Sequence, residues 1–166
     1  MNRTAESSNT DQRALRDALA SFVTGVTVVT ALAPSGHFVG LTANSFNAVS
    51  LDPPLIVWSL SINSSSLEAF RSTDYYAVNV LAFDQAWLSR HFSASNEDKF
   101  SGLEFSQGMG GVPLLTNCCA WFECRNEVQH AAGDHIILIG RVERYRHQAR
   151  EPLIFHGGRY RALGEA

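Results

Sequence analysis

The sequence predicts a mainly β domain with peripheral helices, in which an antiparallel sheet closes or nearly closes into a barrel. Three observations predict this class. Runs of β-branched and aromatic residues, separated by turn residues, recur along the chain. A hairpin near the start and two long neighbouring strands near the end favour antiparallel pairing. No GxGxxG loop follows a strand, so a doubly wound nucleotide-binding fold is not indicated.

The domain organisation follows from length and composition. The 166 residues are 45% hydrophobic, which suits one compact domain that needs neither disulfides nor a metal to fold. Residues 1–10 are polar and are predicted to be a disordered tail. Residues 11–166 are predicted to form the domain, because no linker divides them.

A helix and a hairpin open the domain. Asn9 or Thr10 is the predicted helix cap and Gly25 the stop. The strings "VTVVTALA" and "HFVGLTA" flank Pro34-Ser35-Gly36 and predict the two strands of the hairpin. One face of the helix is predicted to cover a core, because four apolar residues recur at helical spacing: Leu15, Leu19, Phe22 and Val23.

Strands and short helices follow along the rest of the chain. Ser65-Ser66-Leu67-Glu68 matches a capping box and predicts the start of a second helix. The polar, glycine-rich residues 93–111 predict a loop beside a site. Further strands are expected at 55–61, 75–81, 118–129 and 136–146, and a third helix at 84–92. In total we expect six or seven strands and three short helices.

Charge and cysteine content narrow the function classes. The chain has a net charge of -3 and lacks the clustered cations that neutralise phosphates, so no nucleic-acid partner is expected. Cys118, Cys119 and Cys124 are odd in number and closely spaced, which indicates reduced thiols rather than a disulfide framework or a metal site. No signal peptide and no run of 18 apolar residues is present, so we expect a cytoplasmic protein with no membrane partner.

Two polar segments interrupt the apolar strands. Thr42-Ala43-Asn44-Ser45 offers hydroxyl, amide and backbone groups suited to the polar edge of a flat heterocycle, although a strand end with an Asx turn explains it equally well. In the second segment, Ser61, Asn63 and residues 64–66 gather before a helix. Capping alone needs one serine, so five polar side chains favour an anion site.

A third segment, "GDHIILIG", places Gly133, Asp134 and His135 at the entrance of a buried strand. Gly-Asp is ordinary turn chemistry, and a histidine at a strand entrance is often only half exposed.

No GxSxG elbow or marked carboxylate pair is present, so the chain is poor in acid–base machinery. That composition suits a protein whose cofactor carries the reaction.

Taken together, these segments resemble the short-chain flavin reductases that supply reduced flavin to two-component monooxygenases. The resemblance runs from Arg13 to Leu163, through "FVTGVTVVT", "GLTANSFNAVSLDPPL", "YYAVNVL", "GVPLL", "GDHIILIG" and "PLIFHGGRYRAL". It implies a six-stranded antiparallel FMN-binding split barrel, a homodimer with flavin near the subunit interface, and a separate oxygenase partner. The implied activity is reduction of FMN or FAD by NADH or NADPH.

The resemblance also implies roles for individual residues. Gly133, Asp134 and His135 match a motif associated with the nicotinamide nucleotide, and we expect His135 to position it. Residues 98–100 match a region near the flavin, although "SASNEDKF" is also typical of a solvated helix start. The flavin-binding residues implied are Thr42, Ala43, Asn44 and Ser45 at the isoalloxazine, Ser59, Leu60, Ser61, Ser64 and Ser65 at the ribityl chain and phosphate, and Phe92.

The C-terminal segment "GGRYRAL" leaves two interpretations open. Tyr160 and its flanking arginines reach the site or a neighbouring subunit, or they form a final strand with solvated arginines.

Two other functions compete with flavin reduction. One is a split-barrel carrier or sensor that binds flavin or haem without turnover. The other is a split-barrel enzyme that acts on a pyridoxal-type phosphate, a corrinoid or a metal complex. The Gly-Asp-His motif favours the reductase over both.

Overall fold

The structure is a computed structural model and describes residues 9–95 and 98–164. Residues 1–8 of the predicted tail lie outside the described residues, and the first helix begins at Asn9. The described elements are α1 (Asn9–Leu19), β1 (Thr24–Gly25), β2 (Thr27–Leu32), β3 (Phe38–Ala43), β4 (Asn47–Leu51), β5 (Pro54–Ser61), α2 (Leu67–Ser72), β6 (Tyr75–Val80), α3 (Ala86–Ser93), β7 (Phe105–Gln107), β8 (Pro113–Leu115), β9 (Ala120–Ala132), β10 (His135–His147), β11 (Ile154–His156) and β12 (Arg159–Arg161).

The main sheet is antiparallel and has the strand order β3-β2-β6-β9-β10-β5-β4. The predicted mainly β class with peripheral helices is confirmed, but the sheet has seven strands rather than the implied six. The additional strand is β4, which pairs with β5 from Asn47 opposite Val57. Its residues are mostly exposed, so they lack the apolar pattern of a buried strand.

The sheet curls until its β3 side returns to β5. There the Ser45 hydroxyl accepts a hydrogen bond from the Ser59 backbone N–H (3.0 Å) and donates to the Ser59 carbonyl (3.3 Å). Trp58, Tyr76 and Phe70 fill the interior and are fully buried. A second core lies outside the sheet, where α3 and the β7–β8 hairpin cover it. The cleft described below opens where the curled sheet meets α3.

The prediction that α1 covers a core is wrong for the single chain. Leu15 and Leu19 of α1 are 61% and 67% exposed, and Phe22, which follows the helix, is 74% exposed, so this apolar face has no cover among the described residues. Helical spacing of apolar residues reports that a face is apolar, but it does not report what covers that face.

Two local predictions also need correction. The capping box at the start of α2 does not form: Ser66 makes no side-chain cap, and the Glu68 carboxylate accepts a hydrogen bond from the Ser72 hydroxyl instead. The predicted loop at 93–111 contains strand β7, which pairs with β8. Strand β7 has no strong sequence signal, because it is only three residues long. No helix in the described part of the chain is long and apolar enough to cross a membrane.

Candidate functional site

A cleft of about 700 Å³ lies where the end of β3, the end of β5, the end of α3 and the start of β10 meet. Pockets of this size hold nucleotide cofactors and substrates. The lining residues are Leu41, Thr42, Ala43, Asn44, Ser45, Ser59, Leu60, Ser61, Asn63, Ser64, Ser65, Ser66, Phe92, Ser93, Ala94, Ser95, Lys99 and His135.

The β3 wall of the cleft is held in place by its own hydroxyls. Thr42 donates its Oγ1–H to the Ser89 carbonyl of α3 at 2.7 Å. Ser45 is engaged with the Ser59 backbone, as described above. Asn44, between them in sequence, is exposed. Thr42 and Ser45 therefore fix the wall against α3 and β5, while Asn44 presents its amide to whatever enters the cleft.

The segment between β5 and α2 forms a serine-rich turn. The Ser61 Oγ accepts from the Asn63 backbone N–H (3.3 Å), and the Ser64 Oγ accepts from the Ser66 backbone N–H (3.2 Å). Each of these hydroxyls keeps its own O–H proton for donation. Ser65 is exposed beside them. The turn thus presents several donors, which suits an anionic or polyhydroxyl ligand.

The Gly-Asp-His segment reaches this turn through strand register. Gly133 has a φ of +63° and occupies the first position of the two-residue turn between β9 and β10, a position that favours glycine in such hairpins. His135 then lies opposite Ser61 in the β5–β10 ladder. The Ile62 N–H also donates to the Asp134 carbonyl at 3.0 Å. Two segments about 70 residues apart are therefore joined at one edge of the cleft.

Asp134 orients the His135 ring. The distance between Asp134 Oδ1 and His135 Nδ1 is 2.7 Å. A carboxylate can only accept, so Nδ1 carries the proton and Nε2 is the ring nitrogen left for a ligand. The hydrogen bond from His135 lowers the pKa of the Asp134 carboxyl. Asp134 itself is exposed and does not line the cleft.

Lys99 also lines the cleft; it belongs to the 98–100 segment that resembles a region near the flavin, but it was not among the predicted cofactor-binding residues. Its Nζ donates to the Phe92 carbonyl (2.8 Å) and to the Gly40 carbonyl (3.2 Å). Burial lowers the pKa of this amine. A signal was available in the sequence, because Lys99 is the chain's only lysine beside twelve arginines.

Most of the predicted site residues lie together. Gly133 and Asp134 stand behind the cleft, in the turn that presents His135. Tyr160 lines an adjoining cavity of about 150 Å³, where its hydroxyl lies 2.8 Å from that of Ser89. Ala43, Leu60 and Phe92 are almost fully buried, so they offer the cleft little surface. The predicted residues that line the cleft are Thr42, Ala43, Asn44, Ser45, Ser59, Leu60, Ser61, Ser64, Ser65, Phe92 and His135.

The lining fits a flavin. Hydroxyl and amide groups suit the polar edge and the ribityl chain, and Lys99 suits a phosphate. Among the described lining residues no side chain is acidic, so none repels a phosphate. Within the described ranges, no three His, Cys, Asp or Glu side chains are grouped to hold a metal ion.

Comparison with protein families gives a match to the flavin reductase like domain over residues 19–164. The chain belongs to the flavin reductase family. The family that the sequence resembles is thereby confirmed.

Individual relatives agree with this membership. The NADH-dependent FMN reductase SmoA of Agrobacterium fabrum is 45% identical over 90% of this chain and 85% of its own length. The reductase component of the flavin-dependent trigonelline monooxygenase of Acinetobacter baylyi is 40% identical, and the chain spans 48% of its length. The solved NADH:FAD oxidoreductase of Streptomyces globisporus, in complex with NAD and FAD fragments, superposes with a TM-score of 0.89 at 34% identity over 95% of both chains.

Proposed function

We propose that the chain binds a flavin and a nicotinamide nucleotide in this cleft, reduces the flavin, and supplies it to a separate oxygenase. By its family and its relatives the chain is an NAD(P)H-dependent flavin reductase. A relative named as the reductase component of a monooxygenase supports the oxygenase partner. The flavin, when bound, supplies the hydride-accepting chemistry. The observation that carries the site assignment is the pairing of His135 with Ser61 at one cleft edge.

Each part of the cleft has a placement role in this proposal. The serine turn, centred on Ser61 and Ser64, donates hydrogen bonds to the polar chain of the flavin. Asn44 meets the polar edge of its ring system. His135, held by Asp134, contacts the nicotinamide nucleotide through Nε2. Holding both molecules in one cleft accounts for much of the rate enhancement, because it removes the entropy cost of bringing them together.

Separate readouts for the two ligands test these assignments. His135→Ala is expected to raise the KM for NADH and to leave the Kd for FMN, measured by fluorescence titration, near the wild-type value. Ser64→Ala and Ser65→Ala together are expected to weaken FMN binding. Unchanged kcat/KM for NADH in the His135 variant would remove His135 from the proposal.

We also propose that the chain forms a homodimer through its exposed apolar surfaces. Leu15 and Leu19 on α1 and Phe22 just after it are more than half exposed, and Val49 on β4 is 52% exposed. Contiguous apolar residues on a surface are typical of an interface. A second copy is the occupant that the family resemblance implies. Burying α1 in that way would account for its amphipathic sequence.

Light scattering coupled to size exclusion tests the dimer. The wild type is expected at twice the chain mass, and Leu19→Glu is expected to shift it toward the chain mass. Because Leu19 is exposed in the single chain, this change does not disturb the monomer core. A wild type of single-chain mass at every concentration would contradict the dimer.

The three cysteines support a cytoplasmic location, which we propose on this ground. All three are free and buried, as expected in a reducing compartment.

A further inference from the structure

A second cavity, of about 380 Å³, lies at the N-terminal end of α3, whereas the cofactor cleft lies at its C-terminal end. The second cavity is lined by residues 84–88 at the start of α3, by residues 102–104 before β7, and by residues 115–117 at the end of β8 and after it. None of its described lining residues also lines the cleft. Its volume falls within the range of about 300–1,000 Å³ that is typical of small-molecule sites.

The floor of the second cavity is apolar and its walls are tied together. Leu88 and Leu115 are almost fully buried and belong to the core outside the sheet. Gln85 is also buried: its Oε1 accepts from the Ala82 N–H (2.9 Å), and its Nε2 donates to the Thr116 carbonyl (2.8 Å). The second of these bonds joins the start of α3 to the segment after β8. The shape of the cavity is therefore set by the packing of the fold.

An indole ring stands exposed at the second cavity. Trp87 is 52% exposed, whereas the other two tryptophans, Trp58 and Trp121, are almost fully buried. The cation–π contacts found in the described part of the chain involve the rings of Tyr160 and Trp121, so no guanidinium covers Trp87. An indole is the aromatic ring that attracts a cation most strongly. Trp87 thus offers an unoccupied face of this kind.

The charged side chains that line the second cavity are both acidic. Asp84 Oδ2 accepts from Arg150 Nη2 at 2.7 Å, so its charge is balanced by an arginine outside the lining. Glu104 is exposed and takes part in no ion pair between described residues. No lysine, arginine or histidine is among the described lining residues. The cavity therefore combines one uncompensated negative charge with an exposed indole.

We propose that the second cavity binds a small organic cation of the arylalkylammonium class. The positive charge is complementary to the Glu104 carboxylate and to the face of Trp87, and the apolar part of the ligand packs on the leucine floor. Attraction between exposed charges alone is weak, so the indole and the apolar floor are needed for specific binding. The site is distinct from the cofactor cleft, and the proposal uses neither flavin nor nicotinamide chemistry.

A titration of the full chain with benzyltrimethylammonium chloride at constant ionic strength tests the proposal. The charge of this probe does not depend on pH. The three tryptophans give three indole N–H signals in a proton–nitrogen correlation spectrum, and Trp87→Leu identifies the signal of Trp87 by its loss. We expect the probe to shift that signal to saturation, and to leave the signals of Trp58 and Trp121 near their starting positions because both rings are buried.

A neutral ligand of the same shape separates charge recognition from apolar contact. Dimethyl benzyl carbinol resembles the probe but carries no charge, so we expect it to bind about 3- to 30-fold more weakly. Equal affinity for the cation and the alcohol would overturn the proposal. A Trp87 signal that the probe does not shift to saturation would overturn it as well.

Two variants, compared by isothermal titration calorimetry, locate the contacts. Trp87→Leu is expected to weaken binding of the cation about 3- to 30-fold. Glu104→Gln is expected to weaken it about threefold and to leave binding of the alcohol unchanged. Both residues are exposed, so neither change disturbs the core. Glu68→Gln, which removes an exposed carboxylate on α2, is the matched control and should keep the wild-type affinity.

Wild-type affinity for the cation in both Trp87→Leu and Glu104→Gln would place the probe elsewhere and overturn the proposal. The titrations need no flavin and no nicotinamide nucleotide. A chain that binds the cation but does not oxidise NADH would therefore contradict the proposed function and support the second site.

Discussion

Gly133→Ala tests whether the turn before His135 needs a left-handed residue. Gly133 has a φ of +63°, and a Cβ there would meet no described atom within 4 Å. The cost is therefore backbone strain, about 1–2 kcal/mol for a non-glycine residue. Alanine also reduces the entropy of the unfolded chain, which offsets about 0.4–1 kcal/mol. The expected net loss is about 1 kcal/mol in the free energy of unfolding.

For a chain of this size such a loss lowers the Tm by about 2–4 °C. Thermal unfolding followed by circular dichroism measures it. Because His135 follows the turn directly, the KM for NADH is expected to rise as well. Gly25→Ala is the matched control: its Cβ also meets no described atom within 4 Å, but its φ is outside the left-handed region. A Gly133 variant as stable as the wild type would refute the reasoning.

Three further predictions concern packing, charge and thiol reactivity. Gly40→Ala is expected to lower the free energy of unfolding by about 1–3 kcal/mol and to weaken FMN binding, since its Cβ would crowd Phe92; chemical denaturation and fluorescence titration measure the two effects. The hydrogen bond from His135 lowers the pKa of the Asp134 carboxyl below its ordinary value of about 3.9. The contact is therefore fully formed at a pH above that ordinary pKa, and it is lost as the pH falls through the lowered pKa. Carbon NMR should find the Asp134 midpoint below that value in the wild type and back near it in His135→Ala. Burial raises the pKa of Cys118 and of Cys124 to about 12, so Ellman's reagent should label these cysteines slowly at neutral pH and rapidly in denaturant; rapid labelling of the native protein would contradict their burial.

The sequence predicted the strands with strong apolar signals. The runs at 26–33 and 55–61 correspond closely to β2 and β5, because β2 is a continuously buried apolar run rich in β-branched residues and β5 alternates buried with less buried residues. Strand β4 was missed, since its residues are mostly exposed and carry no such pattern. The cover of α1 was mispredicted for a different reason. Periodicity records an apolar face, but the partner of that face is a property of the assembled molecule.

The cleft was predictable only in part. The serine turn and the Thr42-Ala43-Asn44-Ser45 segment stand out as polar interruptions of apolar strands, and both line the cleft. Their proximity to His135 depends on the register of β5 against β10, which spacing along the chain does not reveal. Lys99 lies in a turn without periodicity, and its position depends on contacts with two distant carbonyls. In the sequence it is marked by the resemblance of residues 98–100 to a region near the flavin and by its being the chain's only lysine.

The central claim is that this chain transfers hydride from a nicotinamide nucleotide to a flavin. The measurement that tests it most directly is NADH oxidation, followed as the loss of its near-ultraviolet absorbance with the absorbance of the added flavin subtracted, first without flavin and then with FMN, FAD or riboflavin added in turn. We expect oxidation that depends on added flavin, with NADPH run in parallel to identify the donor. Flavin binding without oxidation of either nicotinamide nucleotide would contradict the claim and would favour a carrier.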